Sequence, residues 1–323
     1  MVFWKLQSPK YDSSTPFSPS LYKKDALPSP TGVNAVLITA QMATTSRLFT
    51  EICVYLKNYF GEPPKTPVLD IPEDKLLGPH DYLFLVRDQN SRIAGTIRYR
   101  YTGKLLVKDQ PEIWRVDCFC IHPERRKKGV GDYLLTELQC YATKHGEPYA
   151  MFLKEGPSLS ILNIPMYSSA YVYRPIKANM ILAHNVRILS SLQAFYHLEW
   201  YSTICPDVMI IRNEHGKNQH WRYYKNDYAT ILACFQDTYQ RFHGTGEKIG
   251  WCTCWLESPL MTDEIRKEAA IEITHTLPAF DYIWMDKRWV GKGQEWKHDG
   301  GFHWYPYQWT SNLTMEQSYC IMD

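Results

Sequence analysis

Long apolar runs are missing from this 323-residue chain, and no stretch approaches the roughly 20 residues that a membrane-spanning helix needs. The opening residues MVFWKLQSPKYD lack the apolar centre of a secretory signal. Blocks of one charge sign are missing too. Lys and Arg number 36 against 34 Asp and Glu, a net charge of +2, so nucleic acid is not an expected partner. Cysteine pairs with zinc-site spacing are not evident: Cys118-x-Cys120 and Cys252-x-Cys254 are closer than the usual Cys-x(2–4)-Cys and lie in apolar runs. The nine cysteines read as reduced, buried thiols of a cytoplasmic protein, with no metal expected.

What is present is a globular composition, 45% hydrophobic, on a chain long enough for two domains. Residues 1–32 are rich in Pro and Ser and read as an extended arm. From Asn34 the pattern runs strand, then helix (45–60), then a loop-like stretch with five prolines between Glu62 and Asp81. A hairpin follows around Asp88–Ser91, then a strand to His122, a helix stopping at Gly146, and another strand from Tyr149. The second half repeats this more loosely: helix over 227–244, strand over 248–257, helix over 261–277 with Thr262 as N-cap, and strand over 279–286. The boundary falls near 175–185, giving units of 33–178 and 179–323 after the arm.

The chemistry concentrates in DCFCIHPERRKKGVGDYLL, Asp117–Leu135. A strand, a basic turn and a helix start place backbone N–H groups and a helix dipole where an anion can sit. Arg126, Lys127 and Lys128 add charge, and Gly129 and Gly131 allow close backbone approach. This is not a Walker A loop. The spacing Arg126-x-x-Gly129-x-Gly131 matches the R/Q-x-x-G-x-G/A signature of GNAT acyltransferases, whose loop holds the pyrophosphate of coenzyme A. Other readings stand beside it. Cys120 with His122 two residues on is a candidate nucleophile pair, and the aromatics from Trp284 to Trp309 are a candidate stacking platform, although strand packing explains them as well.

Further segments narrow the resemblance. Phe3, Trp4 and Gln7, the VDCFCIHPERRKKGV stretch, ILNIPMYSSAYVYR ending at Arg174, FDYIWMD at 280–286 and DGGFHWYPYQW at 299–309 resemble, in order, segments of the N-myristoyltransferases. The resemblance implies an α/β fold of two GNAT-like units, each a mixed twisted sheet flanked by helices. It implies myristoyl-CoA as co-substrate, with no permanently bound cofactor, and a protein with an N-terminal glycine as acceptor. A monomer is expected.

By the same resemblance, the α-carboxylate of Asp323 is the base, and the backbone N–H groups of Cys118 and Phe119 form the oxyanion hole. Phe3, Trp4, Arg126, Lys127, Lys128, Gly129, Val130 and Gly131 bind the acyl-CoA. Tyr59, Glu62, Tyr171, Asp299 and Phe302 meet the peptide. Neighbouring N–H groups on a regular strand point opposite ways, so Cys118 and Phe119 need a bulge to serve one oxyanion. The alternatives are a GNAT enzyme using a shorter acyl-CoA and a catalytically silent protein that binds acyl-CoA or lipidated peptide.

Overall fold

The structure is a computed structural model, described for residues 17–19, 33–45, 47–61, 67–107, 110–147, 149–159, 165–176, 184–214, 216, 218–242, 244–291, 293, 295–307, 309–311 and 313–321. Phe3, Trp4, Glu62 and Asp323 lie outside these residues. Within the proposed arm only β1 (Phe17–Pro19) is described; it pairs with Trp309–Ser311.

The first unit runs β2 (Asn34–Thr39), α1 (Arg47–Tyr59), β3 (Val68–Leu69), α2 (Glu73–Leu76), β4 (Tyr82–Arg87), β5 (Ile93–Leu105), β6 (Glu112–Ile121), α3 (Val130–His145), β7 (Ala150–Glu155) and β8 (Tyr167–Pro175). The proline-rich stretch read as loop therefore carries a two-residue strand and one helical turn. In α1 the residues Phe49, Ile52, Tyr55 and Leu56 are buried, one stripe at helical spacing. Gly146, in the left-handed region at φ 70°, ends α3 as a glycine after a helix does.

The second unit runs β9 (Val186–Leu189), α4 (Ser191–Ile204), β10 (Ile210–Arg212), β11 (His220–Lys225), β12 (Thr230–Arg241), β13 (Lys248–Glu257), α5 (Asp263–His275), β14 (Tyr282–Asp286), β15 (Lys297–Tyr307), β16 (Trp309–Ser311) and β17 (Tyr319–Ile321). Thr262 caps α5, its side chain accepting from the Ile265 N–H. One expectation fails: 227–244 is not helical. Ile231 to Gln236 are all buried, and β12 is paired on both sides, by β11 and β13. A strand covered on both faces reads as a continuous apolar run, which periodicity does not separate from a helix.

The pairing repeats. β2, β4, β5, β6 and β7 are neighbours in that order, as are β9, β11, β12, β13 and β14. In each set the last pair is parallel and short: Trp114–Val116 against Ala150–Phe152, and Ile249–Trp251 against Tyr282–Trp284. Parallel strands need a crossover, and α3 and α5 supply it. The sets then exchange strands. β8 pairs with β14, while β15 lies between β7 and β8. β10 and β17 join β5 to β13, so the ladders form a closed circuit within one 15-stranded sheet. Trp284, Trp289, Trp296, Trp304 and Trp309 are buried in the core cluster shared by both units, so they are packing rather than an open platform.

Candidate active site

β6 keeps its partner β7 only through Val116. Two residues later it bulges. Thr96 of β5 faces Cys120 and Arg98 faces Asp117, so Cys118 and Phe119 together oppose Ile97. Cys118 has φ 47°, rare for a residue with a side chain. The bulge that two co-directed N–H groups require is therefore present at the expected pair. Thr96 Oγ1 donates to the Cys118 carbonyl at 2.9 Å, fixing that peptide from the other side.

Asp117, the residue before the bulge, is clamped. Arg98 donates to it through Nε at 2.6 Å and Nη2 at 2.7 Å, and its Nη1 reaches the Leu76 carbonyl at 2.6 Å. Burial alone pushes the Asp117 carboxyl up. The Arg98 charge and hydrogen bonds, with Arg100 and Arg115 behind them, outweigh this and hold it well below the usual carboxylate range. Asp117 is thus a fixed anion and a poor base.

Beyond the bulge β6 and β7 diverge around a cavity of about 470 Å³, lined by Phe119, Leu135, Phe152, Leu153, Glu155 and Leu159 among others. A second cavity of about 100 Å³ shares Phe60, Arg115, Asp117, Cys118, Leu153, Glu155 and Gln240 with it and extends to Tyr171, Trp251 and Trp284. The two meet at the bulge. A hollow of equal volume at Lys57, Asp70 and Arg241 lies outside this divergence.

The basic turn sits directly after β6. His122 follows the strand and caps the turn, its Nδ1 accepting from the Glu124 N–H at 3.3 Å. Arg125 is committed to Asp88 at 2.8 Å, tying the turn to the β4–β5 hairpin. Arg126, Lys127, Lys128 and Gly129 are exposed at the start of α3. Gly129, at φ 81°, is the N-cap; Lys127 at φ 62° also lies in the left-handed region. A Cβ on Gly131 would meet the Phe119 ring at 3.2 Å, so the missing side chain lets the helix start press against the bulge. Val130, by contrast, is buried in the core, so only its backbone faces the turn.

Of the expected peptide contacts, Tyr59 packs against His122 with its ring tilted, centroids 4.5 Å apart. Tyr171 lines the second cavity and stacks on Phe302 at 4.2 Å, while Phe302 is fully buried behind it. Asp299 is exposed on β15 and faces Glu155 electrostatically. Cys120 is not poised as a nucleophile: burial pushes its thiol up to about 11. Among the described residues no group of three or more His, Cys, Asp or Glu is arranged to hold a metal.

Two residues at the junction escaped the sequence reading. Glu155 ends β7, where the strands have parted. Gln240 follows Tyr239, whose φ of 55° kinks β12, and its buried side-chain oxygen has no hydrogen-bond partner. An exposed Glu and a Gln near a strand end carry no pattern that sequence alone makes visible.

Residues 49–169 match the Acetyltransferase (GNAT) family. The matched segment contains the bulge and the basic helix start, and its strand and helix order is that of a GNAT-like fold. The chain's two-unit form is similar in fold to solved N-myristoyltransferase structures. A Saccharomyces cerevisiae N-myristoyltransferase with bound myristoyl-CoA aligns at TM-score 0.68, over 97% of this chain and 93% of that one, at 12% identity. A second structure of that yeast enzyme, with myristoyl-CoA and inhibitors, aligns at 0.69 over 96% and 90%, at 11% identity. Among curated proteins no sequence matches.

Proposed function

We propose that this chain transfers an acyl group from acyl-CoA to an amine, and that the acyl group is myristoyl and the amine an N-terminal glycine. The observation that carries this reading is the divergence of β6 and β7 at the Cys118–Phe119 bulge, with a 470 Å³ cavity on one side and a basic helix start on the other. The pyrophosphate of coenzyme A would rest on the α3 N-terminus, beside Arg126, Lys127 and Lys128. A cavity of this size falls within the 300–1,000 Å³ range of small-ligand sites. Burying a myristoyl tail would contribute on the order of 10 kcal/mol gross, at about 0.8 kcal/mol per CH₂.

In this reading the thioester carbonyl lies at the bulge, and the Cys118 and Phe119 N–H groups receive the oxyanion of the tetrahedral intermediate. Each such donor contributes roughly 3 kcal/mol to transition-state stability. The carbon–sulfur bond then breaks and coenzyme A leaves as a thiolate near the positive end of α3. No acyl-enzyme is required. The Asp323 carboxylate serves as a base. Ile321, two residues before it in sequence, packs in the same buried cluster as Tyr171, Trp251 and Trp304. An acyl-CoA-binding unit of 33–178 and a peptide-binding unit of 179–323 that carries the C-terminal carboxylate, acting as a cytoplasmic monomer, complete the proposal.

Intact-mass analysis tests it. The chain is incubated with acetyl-, octanoyl- and myristoyl-CoA and a glycine-initiated peptide. A 14-carbon adduct on the peptide N-terminus is expected; preferential acetyl transfer overturns the myristoyl reading.

A further inference from the structure

We propose that Glu155 and Gln240 together receive the acceptor's ammonium group, Glu155 taking its first proton. This rests on the acyltransferase reading above. An N-terminal amine has a pKa near 8 and is largely protonated at neutral pH. Its nitrogen must shed one proton before it can attack and a second after the C–N bond has formed. One base at the chain end answers for one of these steps, and the cavity junction contains a second.

Glu155 and Gln240 both line both cavities, beside Cys118. They are thus at the place where an acyl carbonyl in one cavity and an amine in the other would meet. The other carboxylates there are spent. Asp117 is held by Arg98, and Asp237 accepts from Arg241 Nη1 at 2.8 Å and Nη2 at 2.9 Å. Glu155 has no such clamp among the described residues. Gln240 offers an orphaned acceptor oxygen, which an ammonium N–H satisfies.

Charged groups around the site come from several strands. Arg115 on β6, Asp299 on β15 and Lys154 on its own strand act on Glu155, and Tyr171 on β8 is coupled to it, while Asp117 of β6, Arg98 and Arg100 of β5 and Asp237 of β12 line the same cavity. Although the residue as a whole is exposed, desolvation of the carboxyl beside the cavity walls raises its pKa, Asp299 raises it further, and Arg115 and Lys154 oppose them. A carboxylate whose pKa is raised is a better proton acceptor than a free one.

The step balances. An N–H bond of the ammonium breaks and the proton goes to a Glu155 Oε. The freed lone pair attacks the thioester carbon. The second proton goes to the other carboxylate as the C–S bond breaks, and the thiolate is released.

The test is the pH dependence of kcat/KM for a glycine-initiated peptide with Glu155→Gln, Glu155→Asp and Gln240→Leu in the full chain. Glu155→Gln is expected to lower kcat/KM by about 10²-fold or more. It should also move the acidic limb of the profile to higher pH, while myristoyl-CoA still raises the melting temperature as in the native chain. Glu155→Asp should restore part of the rate, and Gln240→Leu should raise the peptide KM without shifting the limb. An unchanged profile and peptide KM in Glu155→Gln overturn the proposal, leaving both protons to the chain end. A native chain that acylates no amine, yet is stabilised by myristoyl-CoA, overturns the acyltransferase reading itself and the role of Glu155 with it.

Discussion

Arg98 and Asp117 face each other across β5 and β6 with both hydrogen bonds of a fork formed, Nε to Oδ1 at 2.6 Å and Nη2 to Oδ2 at 2.7 Å. The Arg98 side chain is 5% exposed and that of Asp117 15%. Their ladder position is the last regular one before the bulge, so this pair sets where β6 departs from its register. Asp117→Ala strands a buried guanidinium and is expected to cost about 3–5 kcal/mol in urea unfolding. The joint replacement Arg98→Met with Asp117→Leu should recover much of the stability but not the activity. The folded Asp117 pKa is lowered relative to the unfolded value near 3.9, so its contribution is complete above about pH 5 and fades as acid is added below that.

The basic turn yields a prediction in salt. Arg126→Ala removes an exposed cation from the helix start and should weaken acyl-CoA binding roughly tenfold. Because exposed charges are screened, the deficit should shrink between about 0.05 and about 0.5 M salt, measured by titration calorimetry. A deficit indifferent to salt would place the phosphates elsewhere.

Gly131 separates sterics from charge. Gly131→Val brings an added Cβ to 3.2 Å from the Phe119 ring, which lines the cavity and must shift to make room. The acyl-CoA KM should rise tenfold or more, with overall stability changed little. Gly129→Ala acts the other way. At φ 81° an alanine is strained by about 1–2 kcal/mol, which a melting curve will register.

The thiols supply a chemical check. Burial pushes Cys118 up to about 12 and Cys120 up to about 11, so neither is a thiolate at neutral pH. Cys120→Ala should keep most of the activity, and incubation with acyl-CoA alone should leave the protein's mass unchanged. A covalent acyl adduct on Cys120 would mean transfer through the thiol.

The basic turn, its helix and the strand before it were legible in the sequence because local chemistry dictates them. Glycine permits positive φ, and Thr262 and Gly146 punctuate helices wherever they occur. β12 was not legible, since a strand buried on both faces shows no alternation. α4 went unread although Ser190 and Gln193 form a capping box that sequence could have revealed, the Gln193 N–H reaching Ser190 Oγ at 3.3 Å and the Ser190 N–H reaching Gln193 Oε1 at 2.9 Å. Glu155 and Gln240 lay beyond reach for another reason. They come from β7 and β12, and only the tertiary pairing makes them neighbours of the bulge.

The exchange of β8 and β15 has a consequence for any attempt to divide the protein. A gene cut near 178 gives one fragment that retains β8 but lacks β14 and β15, and another that retains those two but lacks β7 and β8. Each fragment then presents bare strand edges, the kind that template aggregation. Expressed apart, the pieces should be insoluble; expressed together, they should recover a single unfolding transition. The two units are complementary parts of one cooperative body, and neither has been left able to live alone.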